Sequence, residues 1–465
     1  MNIDDLKGKK ITVMGLGLHG GAVGTVRFLS EAGAKVTVTE IKSEEELTPS
    51  LEKLNDLKDV KYVFHQHRPE DFVKADMVVK NPAVPWSNKY IKLALDNKIP
   101  VEMDSSLFFK FCKNPIIGVT GTKGKTTTSS LIYEILKTAG KKPLKVGIGQ
   151  TSVLDKLKDL KKETIVVFEL SSWRLSALGH AKLSPQIAVI TNIYPDHLNY
   201  YKTLDEYIKD KKNICLYQNK ENSCVISLDN KILDDFSLEI KSHLIKFSKN
   251  KIVSGRGVYI EDGKIYSNNG IDEKKILDVS DIKLRGEHNL ENVLAASAAA
   301  VAVGIDLASV KKAILGFGGV AHRLEMVREI DGVKYINDSA ATTPEAAAAG
   351  ICSFSESIVL IAGGSDKNLD MTQLAKAICE KTKSVIFLKG AATDKIISAM
   401  EKEDIGLEKH GFKTVETMDK AVELARMVAK KGDVILLSPG AASFGLFSNE
   451  FDRGDKFKAA VKKLK

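Results

Sequence analysis

The stretch PIIGVTGTKGKTTTS, residues 115–129, constrains the fold more than any other part of this 465-residue chain. The apolar run Pro115 to Val119 reads as a buried parallel strand. Glycines then break the pattern, and Lys125-Thr126-Thr127 opens a helix that runs to about Ala139. A strand that feeds a glycine-rich turn and a helix N-terminus is a phosphate cradle: the free N–H groups of the first turn and the helix dipole both favour an anion. Gly121 and Gly124, with Thr122 and Lys123 between them, permit backbone shapes closed to other residues. Lys125 supplies a cation for the β- and γ-phosphates of a nucleotide, and Thr126 a hydroxyl for Mg²⁺. Val119 stands where the common P-loop has its first glycine, so this is a shortened variant.

A chain of this length exceeds one hydrophobic core, and three domains are expected. The class is α/β. A Rossmann-like N-terminal domain (1–112) precedes a P-loop ATPase domain with a parallel sheet (113–318) and a Rossmann-like C-terminal domain (319–465). No apolar run approaches the ~20 residues that span a bilayer. The acid-bearing start MNIDDLKGKK has no apolar segment of the signal-peptide kind, so a cytoplasmic protein is expected. The five cysteines stand far apart without a CxxC pair and read as reduced thiols. The formal charge of +9 comes from 69 basic and 60 acidic residues spread along the chain, with no basic block interleaved with aromatics. The expectation is a monomer acting on small molecules, with no nucleic acid and no membrane span.

The first strand (9–14) leads into Gly15-Leu16-Gly17-x-x-Gly20, a helix, and a second strand ending at Thr39-Glu40. That spacing fits a dinucleotide fingerprint, with glycines for the turn and Glu40 for a ribose. Taken alone it suggests NAD, but any nucleotide-diphosphate group can use the same turn. Asn81 opens the loop NPAVP at another strand end, where α/β sheets bind ligands.

Three further positions carry chemistry in the middle domain. Glu169 ends the strand TIVVF beside the P-loop, where an acid binds Mg²⁺; the plainer reading is a surface acid. His197, in Pro195-Asp196-His197, also follows a buried strand; it is a structural histidine or a second metal or phosphate ligand, with Asp196 to orient its ring. His288, Asn289 and Asn292 open an alanine-rich helix and either cap it or contact a base or ribose. Residues 221–285, rich in short strands and turns, suggest a small β-appendage. Past the glycine hinge at 316–319, Arg323 is either a finger reaching a phosphate or a salt-bridged linker residue. These residues argue for an enzyme that uses ATP and Mg²⁺. A P-loop switch would explain Lys125 alone, and an NAD oxidoreductase only the first 40 residues.

The chain as a whole resembles the Mur ligase family. TGTKGKTTT, FELSSWRL, TNIYPDHLNYY, YIKDKKNI, GEHNLENVLAA, AHRLEM, NDSAATTPEA, GGSDKNLD and SPGAASFGLF…RGDKF occur in the family's order. The resemblance implies a ligase that uses ATP to join an amino acid to a UDP-linked cell-wall precursor through an acyl phosphate; because water must be kept off that intermediate, the third domain is expected to close over the site. The first domain then holds the UDP part through Gly15, Leu16, Gly17, Thr39, Glu40 and Asn81. ATP is implied on residues 121–127 (Gly121, Thr122, Lys123, Gly124, Lys125, Thr126, Thr127), Asn289, Arg323 and Asp338. Two Mg²⁺ are implied on Thr126, Glu169, His197 and Lys211, the last as a carbamylated lysine. Lys125, His197 and Lys211 are the implied catalytic set; Thr342, Lys367, Ser443 and Phe444 are implied for the incoming amino acid. Within the family the chain looks most like the branch that adds D-glutamate to a UDP-linked muramoyl-alanine, and it departs from that branch at Gly147-Ile148-Gly149, where an asparagine is missing, at Ala340 and at Glu450. A sister ligase that adds another amino acid, including a pseudomurein-type one, is the alternative.

Overall fold

Short apolar runs that are buried on both faces become strands of parallel sheets. The computed structural model of the chain contains three such sheets. The structure describes residues 1–464 except 19, 149–151, 197–199, 285, 367–368 and 403–411. The chain divides into two units, one of Met1–Ile282 with Glu287–Phe317 and one of Lys283–Gly286 with Gly318–Lys465. The break after Phe317 falls within the glycine-rich segment 316–319.

The first unit holds two sheets. Strands β1 (Lys10–Met14), β2 (Lys35–Thr39), β3 (Lys61–Val63), β4 (Met77–Lys80) and β5 (Val101–Glu102) are parallel in the order β3-β2-β1-β4-β5. The chain leaves β1 towards β2 on one side and reaches β4 on the other. The crevice at that reversal is where such sheets bind ligands.

The second sheet has nine strands: β6 (Ile116–Thr120), β7 (Lys142–Val146), β8 (Thr164–Glu169), β9 (Ile187–Ile190), β10 (Ser223–Ser227), β11 (His243–Ser248), β12 (Gly257–Glu261), β13 (Lys264–Asn268) and β14 (Glu273–Asp278). Their order is β14-β13-β12-β11-β10-β9-β6-β8-β7, so β6 lies between β8 and β9. Strands β6 to β12 run parallel, and β13 and β14 form antiparallel pairs at the end of the sheet. Residues 221–285 are therefore not an appendage: they extend the central sheet. β10 (SCVIS) is buried along most of its length and pairs with β9, which the turn-rich composition around it had hidden.

The two sheets share one hydrophobic core. The helix Asp104–Phe111 sets Phe108 edge-on against Phe168 at 5.2 Å between ring centres. Burying such a ring is worth about 1.5–3 kcal/mol. The alanine-rich helix Glu287–Val303, buried from Asn292 to Ala300, packs against the P-loop helix Lys125–Thr138.

In the second unit the strands are β15 (Glu325–Ile330), β16 (Val333–Asn337), β17 (Ile358–Gly363), β18 (Thr382–Leu388), β19 (Lys413–Val415) and β20 (Val434–Leu437). The order is β15-β16-β20-β17-β18-β19, with only β15 antiparallel. The Asp331-Gly332 turn closes the β15–β16 hairpin, both residues at positive φ as a two-residue hairpin turn requires. No helix among the described residues is long and apolar enough to cross a membrane, and the five cysteines are free thiols.

Candidate active site

The turn after β6 is shaped by contacts that only glycine tolerates. Gly121 has φ +153°, and a Cβ there would meet Thr191 Oγ1 at 1.9 Å. Gly124, at φ +82°, caps the Lys125–Thr138 helix, and a Cβ would meet Asn292 Oδ1 at 2.1 Å. The residues after β9 clamp the turn: Asn192 accepts from Thr122 N and Lys123 N, each at 2.9 Å. Asn292 accepts from Thr128 Oγ1 and donates to Asn289 Oδ1. Asn289 and Asn292 are both buried and brace the P-loop helix from behind. Thr126 and Thr127 sit in the first turn of that helix, half-buried.

Two lysines converge on one carbonyl. Lys125 Nζ donates to Gly121 O and Thr122 O, each at 3.0 Å, and Lys211 Nζ donates to Gly121 O at 2.9 Å. Lys211 projects from the helix Leu204–Leu216, is 1% exposed and lies 4.6 Å from the Tyr207 ring centre. Burial first, then repulsion from Lys125, holds its amine well below the ordinary lysine range. Lys211, 90 residues further along the chain, thus touches the glycine turn directly.

Glu169 ends β8 opposite Val119 of β6, so its carboxylate sits at the edge of the glycine turn. Its Oε2 is buried with no hydrogen-bond partner among the described residues. A buried carboxylate oxygen left open costs free energy unless a cation meets it. Together with the Thr126 hydroxyl this donor pair suits Mg²⁺, which takes a few hard oxygens from protein and the rest from phosphate and water. Among the described residues no group of three histidines, cysteines or acids forms a closed metal cage. His197 lies outside the described residues, and Asp196 forms an ion pair with Lys123 at 3.5 Å.

The first sheet's crevice is a cleft of about 390 Å³ lined by Gly15, Leu16, Gly17, Lys80, Asn81 and, from the helix Ser172–Ala181 of the same unit, Trp173 and Arg174. Asn81 Nδ2 donates to Gly15 O at 3.3 Å. Two of the expected residues are engaged within the protein. Thr39 is fully buried, its hydroxyl taken by His67 Nδ1 and Gln66 O, and does not line the cleft. Glu40 turns its carboxylate back on the glycine turn and accepts from Leu16 N at 2.9 Å and Gly17 N at 3.2 Å. It caps those two donors, since unpaired N–H groups attract the nearest anion. Arg174, which carried no role in the sequence reading, donates to Gly147 O at 3.0 Å and Asp104 Oδ2 at 3.3 Å.

In the second unit Asp338 is buried and accepts from Leu324 N at 3.1 Å and Ser438 Oγ at 2.8 Å. Burial pushes its carboxyl up to about 7. Arg453 is fully buried, donating to Ser339 Oγ, Ser339 O and Ala441 O, and so ties the turn after β16 to the turn after β20. Ser443 is buried and Phe444 exposed on the second of these turns, and Thr342 is half-buried on the first. Glu450 O accepts from Ser339 Oγ, while Ala340 N donates to His322 O. Arg323 is exposed between His322 and Leu324, both at positive φ. Lys367 lies outside the described residues. Arg453 also went unassigned in sequence; its one signal was its place in the RGDKF block.

Three domain families match the chain in order: Mur ligase MurD-like, N-terminal domain over residues 9–102, Mur ligase middle domain over 119–300, and Mur ligase, glutamate ligase domain over 322–440. A UDP-N-acetylmuramoylalanine--D-glutamate ligase of Roseiflexus sp. (strain RS-1) is 40% identical over 463 residues, covering 98% of this chain and 99% of its own. A protein of the same name from Borreliella afzelii (strain PKo) is 39% identical over 474 residues, with 100% of each chain covered. The solved UDP-N-acetylmuramate-alanine ligase of Thermotoga maritima, 22% identical, shares the fold at a TM-score of 0.58 over 98% of this chain and all of its own. With a lysine-bearing glycine turn, an open buried acid beside it and full-length relatives at this identity, the chain belongs to the Mur ligase family.

Proposed function

We propose that the chain is an ATP-dependent ligase that joins D-glutamate to UDP-N-acetylmuramoyl-L-alanine in the cytoplasm, acting as a monomer. The observation that carries this reading is the convergence of Lys125, Lys211 and the open Glu169 oxygen on one glycine turn, inside a chain whose full-length relatives bear that enzyme's name.

A carboxylate is a poor acyl donor to an amine because oxide is its leaving group. Transfer of the terminal phosphoryl group of ATP to one carboxylate oxygen gives an acyl phosphate and ADP. The amine of D-glutamate attacks the acyl carbon, loses a proton, and the tetrahedral adduct expels phosphate to leave an amide. Lys125 places a positive charge against the transferring group, and the N–H groups of the helix's first turn add to it. Thr126 and Glu169 would hold a Mg²⁺, which would offset charge on the phosphate oxygens. Asn289, Arg323 and Asp338 are assigned to the nucleotide, and Thr342, Lys367, Ser443 and Phe444 to D-glutamate. Gly15, Leu16, Gly17 and Asn81 line the cleft for the UDP-linked substrate.

Lys211 is assigned as a carbamate that, with His197, would hold a second Mg²⁺. Its neutral amine attacks CO₂ to form N–COO⁻ with release of a proton, a reaction favoured by burial and by the adjacent Lys125 charge. Phosphate release with UDP-N-acetylmuramoyl-L-alanine, read across a set of amino acids, tests the function. The expected result is release with D-glutamate above all others. Release driven best by another amino acid shifts the assignment to a sister ligase, and release driven by none removes it.

A further inference from the structure

We propose that Lys80 is the charge-bearing contact of the cleft, its ammonium taking an anionic group, diphosphate or carboxylate, of the ligand bound there. The inference rests on the reading of that cleft as a site for a UDP-linked acid.

Lys80 is the last residue of β4, at the point where the strand order reverses. It is 2% exposed and lines the cleft beside Asn81. Its ammonium donates to Val84 O at 2.8 Å and lies 4.7 Å from the Trp86 ring centre. Among the described residues no acid comes within ion-pair distance of it. The acids that act on it from further off are already engaged: Asp104 pairs with Arg174 at 3.3 Å, and Asp210 accepts from Tyr201 OH at 3.0 Å. Burying a charge without a contacting counter-ion is costly.

Three of the polar donors on the cleft wall already hold protein partners. Leu16 N and Gly17 N hold the Glu40 carboxylate, which repels an incoming anion at that turn. The Arg174 charge is met by Asp104. The lysine is also held ready: Trp86 stacks on His180 at 3.7 Å between ring centres, and its Nε1 donates to Ser176 Oγ at 2.8 Å. Apolar neighbours such as Val13, Val79 and Ala22 lower the local dielectric, which strengthens any charge pair formed there.

Calorimetric titration of the full-length protein with UDP, UDP-N-acetylglucosamine, UDP-N-acetylmuramate and UDP-N-acetylmuramoyl-L-alanine tests this. Lys80→Met is expected to weaken binding about 10–100-fold, as loss of a charge-assisted hydrogen bond does. The free protein's melting temperature should hold or rise, since an unpaired buried charge is removed. Weakening of all four ligands assigns the contact to the diphosphate. Weakening of only the last two assigns it to the carboxylate. Wild-type binding that survives Lys80→Met unchanged overturns the inference alone, whereas a wild-type protein that binds none of the four overturns the substrate reading with it. Should Lys80→Met melt lower than wild type, Lys80→Gln, which keeps a donor for Val84 O without the charge, is judged by the same criteria.

Discussion

Two buried titratable side chains set how this protein answers to mutation and pH. Lys211 spends its amine on the carbonyl that Lys125 also holds, so neither lysine is a spare surface charge. Lys211→Ala is expected to lose at least about 100-fold in ligase rate, and, if the proposed carbamate forms, added formate or acetate should restore part of it by standing in for that group. A near-normal rate in the unsupplemented variant would remove the carbamate. Asp338 works in the opposite sense, as an acid whose neutral form the fold prefers, raised to about 7 by burial. The folded state then binds a proton that the unfolded chain, with an ordinary aspartate near 3.8, has already released above pH 4. This group's stabilising contribution is therefore present below about pH 4 and lost as pH rises to about 7. Melting of Asp338→Asn beside wild type should show the variant gaining on wild type by several degrees between pH 5 and 7.5. A gap that stays constant across that range would mean the carboxyl titrates normally.

The P-loop helix and the alanine-rich helix behind it form one mechanical unit. Gly124 must adopt a left-handed turn and leave room for Asn292, whose amide joins the two helices. Gly124→Ala combines backbone strain of about 1 kcal/mol or more with a clash at 2.1 Å. Loss of nucleotide-analogue affinity by more than about 10-fold is expected, since the first-turn N–H groups would be displaced. Gly255→Ala is the control: φ is similar at +85°, but nothing lies within 4 Å of the added Cβ. It should cost stability by strain alone and leave nucleotide binding intact. Equal affinity in both variants would mean that the Asn292 contact does not shape the cradle. Elements of this kind were legible because strand, glycine turn and helix start follow one another directly in sequence. β7 and β15 were missed because Lys142–Val146 is half-exposed and Glu325–Ile330 alternates charged and apolar residues as an edge strand does, although Asp331-Gly332 was a hairpin signal in plain view.

At the scale of the whole molecule, a nucleotide that binds only the folded protein must stabilise it by mass action. A non-hydrolysable ATP analogue with Mg²⁺ at 100 times its Kd should add about 2.7 kcal/mol. Lys125→Ala should abolish the rise in melting temperature, and a rise preserved in that variant would place the nucleotide elsewhere. The sequence by itself determined the α/β class, the phosphate turn and the acid at the end of β8. Each of these depends on neighbours in the chain: apolar runs that must be buried, glycines that free the backbone, and a strand end that delivers its next side chain to the sheet edge. The fold alone decided which groups stand against one another. Lys211 reaches Gly121 across 90 residues of chain, Glu40 returns to the turn it follows, Arg453 joins two loops, and Lys80 is left in the cleft without a touching acid. Such pairings depend on strand order and on which charged groups the fold buries against which neighbours, and no periodicity or spacing encodes that.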